Sequence, residues 1–161
     1  MDFDKNAFLK FLWRAHQKTY AAPDEIRKHH KSDKYVLPGF VGYAFSDGEW
    51  KYHDSYSGRR WPPGREVVFF KDKPVWTMSY QGKVSDGLDD QEVNFVYSFL
   101  KTALRKADPL TPLRGPLQFN EADLEYAFKF RGDYSYFIGK ESVTRDGEEL
   151  FFQDVMGSII K

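Results

Sequence analysis

The sequence predicts an α+β fold in which a helix followed by about four antiparallel strands is used twice, with the helices packed on antiparallel sheet. Three observations predict it. First, the second half echoes the first. Advancing residues 45–58 by 74 positions and residues 64–84 by 75 brings Phe45 onto Phe119, Tyr52 onto Tyr126, Gly58 onto Gly132 and Gly64 onto Gly139. The same shift brings Glu66 onto Glu141, Val68 onto Val143 and Gly82 onto Gly157. A tandem repeat of this kind constrains architecture before any propensity is counted. Second, each half opens on a segment with the 3/4 apolar spacing of an amphipathic helix. Third, each continues as short apolar-aromatic runs broken by Asp-Gly, Pro and Gly turns, the signature of antiparallel strands. One domain of two pseudo-repeats, about 4–84 and 89–161, follows.

The first helix spans 4–20. Asp4 is a good N-cap, Phe8, Phe11, Leu12 and Ala15 form its buried face, and Pro23 ends it. Leu9, Trp13, His16 and Tyr20 make a second apolar-leaning stripe, so more than one side is covered. Residues 22–39 are a charged connection containing Arg27-Lys28-His29-His30-Lys31. Strands are expected at 40–46, 49–57, 65–71 and 75–81, with Asp47-Gly48 a compact hairpin turn and Lys71-Asp72-Lys73-Pro74 turning the last pair. The second helix spans about 90–106. Asp89 and Glu92 have capping-box spacing, and Phe95, Val96, Phe99, Leu100 and Ala103 supply its buried face. Phe99-Leu100 with Ala103 echoes Phe11-Leu12 with Ala15. Strands recur at 117–120, 123–131, 140–145 and 149–155, with a short terminal one near 158–160. Asp146-Gly147 is a strong two-residue hairpin turn. Whether the two sheets join edge to edge or face each other is left open by the pattern.

Composition narrows the function classes. The chain has 161 residues, enough for one real core. Aromatic residues make up 18%, so the core or pocket walls are built from Phe and Tyr. Charged residues make up 30%, no apolar run approaches the roughly 20 residues that span a bilayer, and Met1-Asp2-Phe3-Asp4-Lys5 has no secretory pattern. No membrane association and a cytoplasmic location are expected. There is no cysteine, which excludes disulfides, thiolate ligands and cysteine nucleophiles. Net charge is zero but unevenly spread: residues 1–84 hold 15 Lys+Arg against 10 Asp+Glu (+5), and residues 85–161 hold 9 against 14 (−5). Halves of opposite sign attract when they pack, and the same asymmetry can orient a homodimer. One basic loop set against an acidic half is a weak footprint for nucleic acid, so no direct nucleic-acid partner is expected. Walker and Rossmann loops, the Gly-x-Ser-x-Gly elbow and His-Glu-x-x-His are all missing. His29-His30 lack the flanking ligands a metal needs, and neither a metal nor a cofactor is expected.

Function is sought where the halves differ. Strand alternation puts Trp50, Tyr52, Asp54 and Tyr56 on one face, and the equivalent face of the second half is Leu124, Tyr126, Phe128 and Phe130. Asp54 therefore stands where the other half has phenylalanine. A carboxylate there needs a donor or an opening to water, because burying it alone costs several kcal/mol. A bond at the sheet rim satisfies that need, and so does a ligand-facing role. His53 points to the opposite face from Asp54, so the two do not form a catalytic pair. Glu66 and Glu141 each follow Gly-Arg or Gly-Lys, which suits a structural bridge locking each hairpin or an acid/base pair near a pseudo-two-fold axis. Arg114, in the stiff Arg114-Gly115-Pro116, can clamp a carboxylate or phosphate or pair with Asp54 or Glu66 across the molecule.

The strings Phe11-Leu12, Ala15, Thr19-Tyr20-Ala21 and Tyr52-His53-Asp54-Ser55-Tyr56-Ser57-Gly58 resemble a bacterial and archaeal domain family of unknown function. So do Gly64-Arg65-Glu66-Val67-Val68, Pro74-Val75-Trp76-Thr77-Met78-Ser79-Tyr80-Gln81-Gly82, Phe99-Leu100-Lys101 and Arg114-Gly115-Pro116. The resemblance covers nearly the whole chain. It implies a domain found alone or behind the helix-turn-helix head of transcriptional regulators, and it carries no catalytic residues. The family's strand pattern is Tyr-Arg-Asp-x-Tyr, and this chain has His53 at the Arg position.

The residues and the resemblance together favour a non-enzymatic small-molecule binding or sensing module. Its candidate pocket is walled by Trp50, Tyr52, Tyr56, Trp76 and Tyr80, with Asp54 and Arg114 as orienting groups. Two other classes stay open. One is a small, hydrolase-like enzyme working through Glu66, Glu141 and Asp54. The other is an inhibitor- or immunity-type module binding a protein through the 22–38 loop.

Overall fold

The computed structural model describes residues 3–34 and 36–161. Met1 and Asp2, in the N-terminal stretch read above for a signal, and Tyr35 in the charged connection lie outside the described residues. The helix α1 (Lys5–Lys18) starts where the sequence sets it, with the Asp4 carboxylate accepting from the Ala7 amide at 2.8 Å. Pro23 leads into the short α2 (Asp24–Arg27) and a 3₁₀ turn at Lys28–His30. Helix α3 (Asp90–Leu104) opens on the expected capping box: Asp89 accepts from the Gln91 and Glu92 amides while Glu92 reaches back to the Asp89 amide.

Each long helix leads into a four-stranded antiparallel meander. The first is β1 (Val41–Asp47), β2 (Trp50–Tyr56), β3 (Pro63–Phe70) and β4 (Lys73–Val84). The second is β5 (Gln118–Glu121), β6 (Leu124–Asp133), β7 (Tyr136–Arg145) and β8 (Glu148–Ile159). The meanders join edge to edge in one eight-stranded sheet of order β1-β2-β3-β4-β8-β7-β6-β5. The seam is the antiparallel ladder Trp76↔Ile159 through Val84↔Phe151. The molecule is thus α+β with antiparallel sheet. The expected break before residue 158 does not occur. Gly157 sits opposite Met78 on one side and Phe137 on the other, and the ladders on both sides carry β8 through it.

Strand alternation sends Tyr52, Val68, Trp76, Tyr126, Val143 and Phe151 to the face that α1 and α3 cover, where Phe8, Leu12, Val96 and Leu100 complete one core cluster. The opposite face is more polar, with Lys51, Arg65, Ser79, Gln81, Glu125, Lys129 and Asp154 exposed. Phe95, read as part of the buried face of α3, is instead 47% exposed beneath the Arg145 guanidinium. Val93 and Leu104 take its place in the core. Among the described residues no helix is long and apolar enough to cross a membrane.

Candidate functional site

The centre of the helix-covered face is polar. Glu66 on β3 and Glu141 on β7 are 2% and 0% exposed, and Arg114, from the link before β5, lies between them. Its Nη1 donates to Glu66 Oε1 at 3.3 Å and its Nη2 to Glu141 Oε1 at 2.5 Å. Tyr126 donates to Glu141 Oε2 at 2.8 Å, and Gln153 donates to Glu141 Oε1 at 3.0 Å. On the other side His16 of α1 meets Glu66 Oε2 at 2.8 Å, and the Tyr52 hydroxyl bonds the same carboxylate. Burial by itself pushes Glu66 up; the pull of His16, Arg114 and Tyr52 outweighs it and holds the carboxyl below its ordinary value. Arg114 thus bridges two carboxylates drawn from both meanders, and its Nη groups are already spent on them.

Asp54 is the neighbour of Glu66 across the β2–β3 ladder and is 2% exposed. It accepts from the Tyr80 hydroxyl at 2.7 Å and forms no ion pair among the described residues. Burial, reinforced by the nearby Glu66 charge, pushes its carboxyl up to about 8, against the smaller opposing effects of Tyr80 and Arg114. At neutral pH it is therefore mostly a neutral acid beside an ionised one. Tyr80 reaches it because Gly64 stands directly opposite on β3: a Cβ at that position would lie 2.1 Å from the ring. The missing side chain is the notch in which the ring lies.

Above this cluster the sheet and the helices do not close. A cavity of about 250 Å³, the volume of roughly eight waters, opens between β2, β3 and β4 below and α1 and α3 above. Its walls include the rings of Tyr20, Tyr52, Tyr56, Tyr80 and Tyr97. Asp54, Glu66, Arg114 and His16 contribute polar groups, and Arg59 and Lys101 stand on the more exposed side.

The structure places the residues singled out in the sequence as follows. Tyr52, Asp54, Tyr56, Glu66, Tyr80 and Arg114 line one cavity. Trp50 and Trp76 do not. Trp50 lies towards the other end of α1 against Phe3, Phe11 and Phe70. Trp76 is fully buried beside Phe8 and Phe137, its indole donating to the Tyr134 carbonyl at 3.0 Å. Alternation put Trp50 on the right face, but the helix covers that end of β2. Glu141 lies behind Arg114 and is not part of the lining, so Glu66 and Glu141 do not flank an open cleft. His53 is turned away, towards the Lys34 backbone and Gly42. His30 packs on Phe45 and bonds the Ala44 carbonyl at 3.1 Å, and no group of three or more metal-ligating side chains occurs among the described residues.

Sequence reasoning missed His16 and Lys101. The signal for His16 was present: after the shared Phe-Leu…Ala pattern, α1 has His16 where α3 has Leu104. His16 and Asp54 are thus both polar where the corresponding positions, Leu104 and Phe128, are apolar, and both line the cavity.

The fold and site define an α+β protein with a tyrosine-walled interior cavity over a buried carboxylate–guanidinium cluster. A family described as a domain of unknown function (DUF5680) matches residues 54–160, and the chain belongs to that family. No curated protein and no solved structure matches significantly.

Proposed function

We propose that the protein is a non-enzymatic binding or sensing module whose small-molecule ligand occupies the tyrosine-walled cavity. The observation that carries this reading is an open cavity whose wall includes Asp54, a buried carboxyl with no cationic partner among the described residues. Polar groups of this kind are costly to bury and persist where they serve a ligand or a switch. A wall that includes five tyrosine rings, with a few convergent polar groups, has the make-up of small-molecule sites. Service as the sensing half of regulators with helix-turn-helix heads belongs to the same reading and rests on the family resemblance alone; a cytoplasmic location belongs to it too and rests on the charge-rich, cysteine-free composition. The origin of the fold by tandem duplication is part of the same reading. What supports it is the sequence self-similarity, together with backbone matches 74 or 75 positions apart. Gly48 and Ala122 have φ of 59° and 54°, Gly58 and Gly132 of 75° and 96°, and Lys71 and Asp146 both of 51°.

A second reading has one observation in its favour. A neutral acid, Asp54, beside an ionised carboxylate held by His16 is the pairing that acid–base enzymes use. A thermal-shift screen against metabolites and divalent ions, run on the wild type and on Asp54→Ala, separates the two. Ligand-specific stabilisation that the substitution abolishes supports the cavity as a binding site. A stabilising compound recovered unchanged by NMR after prolonged incubation favours binding, and its conversion favours catalysis. A screen without a single hit counts against both and turns attention to a protein partner.

A further inference from the structure

We propose that the cavity takes a small zwitterion whose cationic group meets Asp54 on the sheet side and whose anionic group meets Lys101 on the helix side. This deepens, and rests on, the reading of the cavity as a ligand site. The argument is one of charge. Of the charged groups in the wall, most already have partners: Glu66 has His16 and Arg114, and Arg59 has Asp90 and Asn94. Two do not. Asp54, on β2, receives only neutral hydrogen bonds among the described residues, from the Tyr80 hydroxyl and the Ser55 amide. Lys101, on α3, forms no ion pair among the described residues, and its ammonium stands 5.2 Å from the centre of the Tyr20 ring, itself part of the wall.

The two unmatched groups have opposite sign and belong to opposite walls, one to the sheet and one to the helix layer. Their surroundings sharpen the demand. Burial, and then the neighbouring Arg27 and Arg105 charges, pull the Lys101 ammonium below its ordinary value; the opposing charge of Asp24 does not offset them, and Asp24 is already paired with Arg27. An anion placed there relieves the repulsion. Beside Asp54 a cation does the same for the carboxyl that burial and Glu66 keep protonated. A purely anionic ligand leaves Asp54 unmet and faces Glu66; a purely cationic one leaves Lys101 unmet. The tyrosine faces between the poles suit a flat or apolar body and favour the cationic end. The volume, about 250 Å³, limits the ligand to roughly amino-acid size.

A truncation series tests the assignment on the intact chain by isothermal titration calorimetry at pH 7. It comprises 4-(aminomethyl)benzoate, with a charge at each end of the ring, benzylamine, benzoate and neutral benzyl alcohol. The zwitterion is expected to bind at least about tenfold more tightly than either singly charged probe, the gain of one charge-assisted hydrogen bond. Lys101→Met should erase its advantage over benzylamine, and Asp54→Asn its advantage over benzoate. If benzylamine, benzoate or benzyl alcohol binds as well as the zwitterion, the charge assignment falls while the cavity stands as a ligand site. If all four give no heat, the zwitterion proposal falls, and the metabolite screen decides the cavity reading by itself.

Discussion

Asp54 is a carboxyl that folding must bury beside a second one, and the consequence is a pH dependence of known sign. Facing it are Glu66 on β3, Tyr80 on β4, Tyr52 and Tyr56 on its own strand, His16 of α1 and Arg114. In the unfolded chain Asp54 ionises near the ordinary carboxylate value; in the fold it holds its proton to about pH 8. The folded state thus binds more protons across that interval, so this residue's contribution to stability falls as pH rises from about 4 to about 8. Glu66 works in the opposite direction: its folded value lies below the ordinary one, so its contribution is lost as pH falls. Asp54→Asn keeps the shape and removes the titration. It should raise the melting temperature more at pH 8.5 than at pH 4.5. Equal shifts at both values would show that Asp54 is not held protonated in the fold. The oddness of Asp54 was legible in the sequence because alternation set it among aromatics, but its partner Tyr80 was not. That hydrogen bond depends on a ring lying across Gly64, a contact between strands that no local pattern announces.

At the scale of elements, starts and turns were the legible parts, because the atoms that decide them lie within a few residues. Asp4 and the Asp89–Glu92 box cap the helices as the sequence says. Asp146-Gly147 forms the expected two-residue turn, with both residues at positive φ. In β1–β2 the ladder closes at Asp47↔Trp50, so the loop is Gly48-Glu49, one residue later than expected. The matching loop of the second meander, Ala122-Asp123, places an alanine at φ 54° where the first has glycine at 59°. Left-handed backbone costs an L-residue about 1–2 kcal/mol, and glycine's extra unfolded-state freedom returns about 0.5–1 of that. Ala122→Gly should therefore stabilise the protein by about 0.5–1 kcal/mol, a rise of about 1–4 °C in melting temperature. A lowered melting temperature in a thermal melt would sink the strain argument. The apolar faces of the helices were read less well. Phe95 and Val96 are adjacent, and periodicity alone did not decide which of them faces the core.

For the whole molecule, Arg114 is the residue on which both meanders converge. It pairs with Glu66 from the first and Glu141 from the second, and all three are almost fully buried. Removing one partner of such a cluster strands the others, at about 3–5 kcal/mol. Arg114→Ala should lower the urea unfolding free energy by about that amount, and a loss under about 1 kcal/mol would mean that water replaces the guanidinium without strain. The sequence had offered Arg114 as a ligand clamp or as a partner for Asp54 or Glu66, and its bond to Glu141 was not foreseen. By itself the sequence determined the class, the order of the two long helices and the eight main strands, most of the turns and the exclusion of thiol chemistry, since each follows from residue type and near-neighbour spacing; the short α2 and the unbroken β8 were not foreseen. Only the tertiary structure decided that β4 and β8 join the sheets edge to edge, that Trp76 is core and Trp50 packs against it, and that His16 and Lys101 belong to the cavity. Those outcomes depend on groups far apart in the chain meeting in space, and on a volume that the side chains around it leave unfilled.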